Sequence, residues 1–388
     1  MSDEIQSEVP PALGLRLALV LWNGEVGGAE SLNVTLAQRM RRLGADVEVV
    51  FIAEPDPIAE RLAAAEVPYR SLGFKRGREV ARHPRRCAAG IARVGSDGAL
   101  LVARGLLGAA LRGGGYRAPI IAVEHGELLE LPGKPWPRQL MLRLAGVAGA
   151  RACDVDVGVS EFMVEQMRRH PHAREIRLIP NGIDPSMYAA AGTPPPSVGG
   201  GEPVVAFAGR LIPGKGADCL ILAVARVQAT RPIKARIAGD GPERVRLEAL
   251  AQSCGVADAV QFLGRVDDMP AFWQASDLVA IPPDTFTESF SMVTLEAMTC
   301  GKAIVATRNG AIPELVVDGG TGTLVDPGDA DALAAALLAY VERPELRLAH
   351  GAAARTRAIE RYQIDDCAQA YLDLFGELAG RGGHAPRS

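Results

Sequence analysis

The residues best suited to chemistry lie between Thr287 and Met298, where Glu288 and Glu296 flank a short apolar run. A Pro282-Pro283 turn precedes this stretch and Gly301 follows it. The spacing predicts Glu288 as the last loop residue and a helix over Ser289 to Cys300. Glu288 then stands at a helix N-terminus, and Glu296 projects two turns further on. Free backbone N–H groups at Ser291 and Met292 would lie between them, where the helix dipole favours an anion. Carboxylates can hold sugar hydroxyls and N–H groups can hold phosphate, so the stretch suits a sugar phosphate. It equally suits a helix whose first-turn Glu complements the dipole, with Glu296 a solvated side chain.

A second cluster is Gly209-Arg210-Leu211-Ile212-Pro213-Gly214-Lys215-Gly216. Two cations bracket a glycine-rich loop after an apolar run. The planar fork of Arg and the point charge of Lys suit a diphosphate. The spacing is not that of a Walker A loop. Asn23 to Glu30, with Gly27-Gly28, forms a comparable turn early in the chain. There paired glycines allow a ligand close to the backbone. It lacks the G-x-G-x-x-G dinucleotide spacing, and a plain strand-to-helix turn also accounts for it.

His125 ends the predicted strand Pro119 to Glu124. From there it can hydrogen-bond a sugar hydroxyl, act as an acid or base, or be merely structural. Gly239-Asp240-Gly241-Pro242 has good turn chemistry. Val266-Asp267-Asp268 follows a strand and can present backbone groups to a base; Asp267 or Asp268 can also be an N-cap. Asp154-Val155-Asp156 has the form of a metal-binding D-x-D. It lies at the start of a strand, the wrong end for an open parallel sheet, so no metal site is expected. Lys75, Arg76, Arg78, Arg82, His83, Arg85, Arg86 and Arg93 form a basic run opposed only by Glu79. Contact with anionic lipid and an ordinary solvated helix face both fit it.

The elements that must carry these residues alternate. Continuous apolar runs at Leu15–Leu21, Val47–Ile52, Ala99–Ala103 and Val155–Ser160 read as strands covered on both faces. Helical patterns over Ala29–Leu43, Trp136–Ala150 and Glu161–Arg169 lie between them. After a Pro- and Gly-rich stretch at Gly192–Pro203 the alternation resumes with Val204–Ala208, Lys234–Ala238, Ala259–Leu263 and Asp277–Ile281. Closing helices are expected over Ala330–Tyr340 and Ile364–Leu378. The pattern predicts two α/β domains with parallel sheets facing across a cleft. At 388 residues, two domains are the default. The predicted division is a tail over 1–14, a first domain over 15–188, a linker over 189–203, a second domain over 204–362, and a helix over 363–380 crossing back to the first.

Composition excludes several classes. The net charge of −4 gives no signal for nucleic acid. No apolar run is long enough to span a bilayer, and the acidic start does not read as a signal peptide. The six cysteines are scattered without a C-x-x-C pair, as in a reducing cytoplasm.

Taken together, the chain resembles the retaining, nucleotide-sugar-dependent glycosyltransferases of family 4, which have the GT-B fold. The carriers are Gly27-Gly28-Ala29-Glu30, His125, Val159-Ser160-Glu161, Ile179 to Asp184, Gly209-Arg210 with Lys215-Gly216, Gly239 to Pro242, and the E-x7-E pair Glu288 and Glu296. The resemblance runs from Leu15 to about Phe375. It implies two Rossmann-like domains and transfer of a sugar from a UDP- or GDP-sugar to a glycan, lipid-linked or small-molecule acceptor. It further implies that Arg210 and Lys215, beside Gly209, bind the diphosphate. The backbone of Ser289, Phe290, Ser291, Met292 and Val293 would approach sugar and phosphates. Glu288 would hold the donor sugar, Glu296 the ribose, and Val266 with Asp267 the base. Gly27 and Gly28 would approach the phosphate, and His125 the sugar. His125, Arg210, Lys215 and Glu288 would be the catalytic set, with no metal and no separate cofactor. Ser291, Gly214 and Asp156 depart from the residues common in the family. A sugar-nucleotide epimerase and a non-catalytic nucleotide-sugar binder are the alternatives. The expected location is cytoplasmic, with peripheral contact at the inner membrane face, through Lys75 to Arg93, as a further option.

Overall fold

The computed structural model describes residues 14–23, 28–54, 58–102, 106–124, 146–169, 174–188 and 201–381. The chain forms two compact units. Residues up to Gly182, together with the segment from Ile364, make the first; Ile183–Gln363 make the second.

The first unit holds a seven-stranded parallel sheet. Its strands are β1 (Arg16–Leu21), β2 (Asp46–Phe51), β3 (Tyr69–Ser71), β4 (Gly98–Leu101), β5 (Ile120–Glu124), β6 (Val155–Gly158) and β7 (Ile176–Leu178), in the order β3-β2-β1-β4-β5-β6-β7. β1 after Arg16, β4 and β6 are buried along their length, as strands covered on both faces are, and β6 carries the buried Asp156. The C-terminal helix Ile364–Arg381 packs against the helix Gly28–Arg42, with Arg39 paired to Asp365 at 3.4 Å. Phe375 of that helix lies against Gly98, where a β-carbon would come within 2.4 Å of its ring.

The second unit holds a six-stranded parallel sheet. Its strands are β8 (Val204–Ala208), β9 (Lys234–Ala238), β10 (Val260–Gly264), β11 (Leu278–Ile281), β12 (Ala303–Thr307) and β13 (Gly322–Val325), ordered β10-β9-β8-β11-β12-β13. Alternate residues supply two cores. Val205, Phe207, Leu278 and Ala280 face one layer of helices; Ala206, Val279, Ile281 and Ile304 face the other. The chain builds outward from β8 on one side, then returns to build outward from β11 on the other. The reversal leaves a topological switch point between β8 and β11, where open parallel sheets take their ligands.

Several expectations need adjustment. Ile183–Tyr188, expected with the first domain, lies in the second unit, where the Ile183 N–H donates to the Tyr362 carbonyl at 2.8 Å. A helix over Pro344–Arg361 was not expected. β7 was also unexpected; it is an edge strand, mostly exposed and carrying Arg177. Residues 1–13 of the predicted tail, 189–200 of the predicted linker and most of the Trp136–Ala150 helix lie outside the described residues.

Candidate functional site

The two loops at the switch point of the second unit carry most of the predicted site residues. After β8 the chain turns through Gly209 to Gly216 and enters the helix Ala217–Gln228. Gly216 has φ +80°, and a β-carbon there would meet the Pro282 carbonyl oxygen at 1.8 Å. Only glycine lets the loop after β8 lie against the loop after β11. The Gly214 carbonyl, two residues earlier, accepts from the Asp284 N–H at 2.9 Å.

This contact brings Lys215 to Glu288. Its Nζ donates to Glu288 Oε1 at 2.6 Å and sits 3.6 Å from the centre of the Phe286 ring. Arg210 is exposed, and among the described residues its guanidinium has no hydrogen-bond or ion-pair partner. The loop thus offers one shielded cation and one solvent-facing cation.

Glu288 is held by its backbone from the other side. Its N–H donates to Asn309 Oδ1 at 3.0 Å, and its carbonyl accepts from the Ala311 N–H at 2.8 Å. Asn309 Nδ2 donates in turn to the Asp284 carbonyl at 3.0 Å. Asn309 thereby ties both ends of the Asp284–Glu288 loop.

The helix of the E-x7-E stretch starts later than the sequence predicts. It runs over Met292–Thr299, and Ser291 is its N-cap in an extended conformation. Glu288 is a loop residue as expected, but it precedes the N-cap Ser291 instead of directly adjoining the helix. Anchoring of Glu288 keeps Ser289 to Ser291 out of the helix, and the Ser291 hydroxyl accepts from Thr294 N and Thr294 Oγ1. With the cap on Thr294 N, the N–H groups that the helix itself leaves for an anion are those of Met292 and Val293. Ser291, where the family often has glycine, turns its side chain into the cap and is buried.

Glu296 is partly exposed on the second turn of this helix. Its Oε2 accepts from Trp273 Nε1 at 3.2 Å, and the Tyr188 hydroxyl hydrogen-bonds the same carboxylate. Burial pushes the Glu296 carboxyl up to about 7, with the Trp273 and Tyr188 hydrogen bonds opposing the shift. Burial, and then the Glu296 charge, push the Tyr188 hydroxyl upward, so it stays a donor. The helix is not a solvated one with an incidental carboxylate. Asn309, Trp273 and Tyr188 were not among the predicted site residues.

Residues 195–357 match the family model described as glycosyl transferases group 1, and residues 26–187 match that of glycosyltransferase family 4. A GDP-mannose-dependent alpha-(1-6)-phosphatidylinositol monomannoside mannosyltransferase of Mycolicibacterium smegmatis is 32% identical over 277 residues, 66% of this chain and 70% of that protein.

The chain belongs to glycosyltransferase family 4.

A D-inositol 3-phosphate glycosyltransferase of Corynebacterium jeikeium is 36% identical over 195 residues, 47% of this chain and 46% of its own length. The chain thus spans under half of that relative. The GT-B fold is shared with Anabaena Alr3699/HepE solved with UDP, at TM-score 0.79 and 23% identity over 94% of this chain and all of that one. It is also shared with a sucrose-phosphate synthase from Thermosynechococcus elongatus, at TM-score 0.76 and 21% identity over 95% of this chain and all of that one. As a family-4 glycosyltransferase of the GT-B fold, the chain is an enzyme of the transferase class.

The remaining predicted residues divide. Val266 packs partly buried against the core below the site, and Asp267 is exposed with Arg265 at 3.4 Å. Asp268, not Asp267, caps the helix Met269–Gln274 by accepting from Ala271 N at 2.9 Å. Phe290 stacks edge-on against Tyr362 with ring centres 6.0 Å apart. Gly28 opens the helix that follows β1, whereas Gly27 and His125 lie outside the described residues. Asp154 of the D-x-D spends its carboxylate on the Arg112 guanidinium and the Ile120 N–H, a structural task.

Proposed function

We propose that this glycosyltransferase moves a sugar, with retention of anomeric configuration, from a nucleoside-diphosphate sugar bound in the second unit to a hydroxyl acceptor. The observation that carries the reading is the convergence of Lys215, Glu288, the Met292 and Val293 amides and Glu296 at one switch point. Lys215 and Arg210 suit the diphosphate, and the amides at the helix N-terminus suit its charge. Glu288 suits hydroxyls of the transferred sugar, and Glu296 those of the ribose.

As the bond between the anomeric carbon and the diphosphate breaks, negative charge grows on the leaving phosphate. Donors already aimed at that position stabilise it more than they stabilise the bound donor. No carboxylate is assigned as a covalent nucleophile. The acceptor oxygen attacks from the face that the diphosphate leaves, and its proton passes to the departing phosphate oxygen.

GDP-mannose and UDP-glucose are the first donors to try, because relatives or structural neighbours carry those names. A lipid-linked acceptor is favoured for the same reason, and the basic run supports it. Lys75, Arg76, Arg78, Arg82, Arg85 and Arg93 are all exposed on or beside the helices Gly77–Arg82 and Pro84–Ala92. Such a patch suits an anionic lipid surface.

A screen of UDP-, GDP- and ADP-sugars, with and without Mg²⁺ and with lipid extract as acceptor, tests the reading through nucleoside diphosphate release. Release from at least one donor is expected without metal. No release under any condition would refute it.

A further inference from the structure

We infer that Trp273 and Tyr188 are positioning residues for Glu296, two side-chain donors from separate segments that aim its carboxylate at the nucleotide ribose. The inference rests on the reading of Glu296 as the ribose ligand. It adds residues that the family motif does not contain.

Glu296 sits on a helix whose neighbouring residues Leu295, Ala297 and Met298 are fully buried. A long, flexible side chain beside such a surface would ordinarily swing toward water. Two donors prevent this. Trp273, fully buried on the helix Met269–Gln274, reaches Oε2 with its only polar atom. Tyr188 ends the 3-10 turn Pro185–Tyr188, which packs on the helix of Glu296, and brings its hydroxyl to the same group. A carboxylate has about four lone-pair positions. Two are used by Trp273 and Tyr188, and the remainder match the paired donors of a ribose 2′,3′-diol. Holding the carboxylate in one rotamer spares the nucleotide that ordering cost on binding.

A purely structural account runs the other way: a buried indole N–H needs an acceptor, and Glu296 supplies one. The two accounts differ in what they predict for ribose. The test is calorimetric titration with UDP, GDP and ADP and with their 2′,3′-dideoxy counterparts, for wild type, Trp273→Phe, Tyr188→Phe and Glu296→Ala. For the best-bound nucleotide, wild type should favour the ribo form over the dideoxy form about tenfold or more. Glu296→Ala should bring that ratio close to one. Trp273→Phe and Tyr188→Phe should each reduce it about threefold to tenfold, with dideoxy binding unchanged.

If Glu296→Ala collapses the ratio and both aromatic variants keep it, the positioning role is refuted and the ribose reading stands. Equal weakening of ribo and dideoxy forms in the aromatic variants would also refute it, as that is loss of packing. A ratio untouched by Glu296→Ala, or no binding of any of the three nucleotides by wild type, would overturn the ribose reading itself. Tyr188→Phe removes one hydroxyl from a partly exposed ring, so it decides the matter even where Trp273→Phe folds poorly.

Discussion

The ammonium of Lys215 lies 2.6 Å from Glu288, with only 16% and 13% of the two side chains exposed. The residues are 73 apart in sequence and belong to loops after β8 and β11. A diphosphate reaching for Lys215 therefore competes with a carboxylate already there. The same carboxylate is the one proposed to hold the transferred sugar, so the pair must open as the donor settles.

Glu288→Gln tests this competition. Loss of the charge should free Lys215 and tighten binding of the bare nucleoside diphosphate about threefold to tenfold, read by calorimetry. Turnover should fall tenfold or more, on the order of one lost charged hydrogen bond to the sugar. Unchanged or weaker diphosphate binding would show that the pair does not restrain Lys215.

Lys215→Ala removes the shielded cation. Turnover should drop about 10²- to 10³-fold, the usual effect of deleting one donor that meets developing charge. Arg210→Ala, on the exposed side of the loop, should cost less. Diphosphate release against time, at saturating donor, ranks the two; near-normal turnover of Lys215→Ala would exclude it from the site.

Gly310→Ala probes the Asn309–Ala311 clamp. Gly310 has φ +54°, and its added β-carbon would stand 2.0 Å from the Glu288 carbonyl oxygen. Gly328 has a similar φ of +78° with nothing within 4 Å, so Gly328→Ala reports backbone strain alone. That strain is roughly 1–2 kcal/mol. Gly310→Ala should cost more in thermal denaturation, and it alone should lower turnover, because it shifts Glu288.

How far the site was legible follows from where its partners lie. Val204–Ala208 matches its predicted bounds because a strand covered on both faces is a bare apolar run, and Lys234–Ala238 matches because Lys234 and Arg236 alternate with the buried Ala235 and Ile237. Glu161–Arg169 matches through its helical period. The helix Pro344–Arg361 escaped because its buried positions include Arg347, Gly351 and Ala354, which leave no apolar stripe. Glu288, Lys215 and Glu296 were readable as a motif. Their supports were not: Asn309 meets Glu288 across 21 residues and Trp273 meets Glu296 across 23, and neither spacing is a local period. The shifted helix start has the same origin, since the clamp on Glu288 overrides the local preference of Ser289 to Ser291.

Ser291→Ala tests that shifted start. Removing the cap should cost about 1 kcal/mol by chemical denaturation, and Ser291→Gly only a few tenths. Both leave Glu288 in place, so sugar choice should not change. A start at Ser289 would make Ser291 a first-turn residue with no capping role, and alanine there would then be neutral or stabilising.

Glu296 should show two opposite responses to pH. Its carboxyl is raised by burial from an ordinary 4.5 to about 7 in the folded chain. Between those values the folded state binds more protons than the unfolded state, so stability falls as pH rises. The stabilising contribution is complete below about 4.5 and lost above about 7. Glu296→Gln should therefore raise the free energy of unfolding relative to wild type at pH 8, by up to about 3 kcal/mol, and much less at pH 5. Nucleotide binding should run the other way, because the ribose hydroxyls need the ionised carboxylate as acceptor. Wild-type affinity should climb as pH rises through about 7, while Glu296→Gln should bind weakly with little pH dependence across that range. A variant that is both less stable and weaker in binding at pH 8 would mean that the carboxylate is there for Trp273 and the core, since a residue kept for its ligand should cost the fold something that its removal returns.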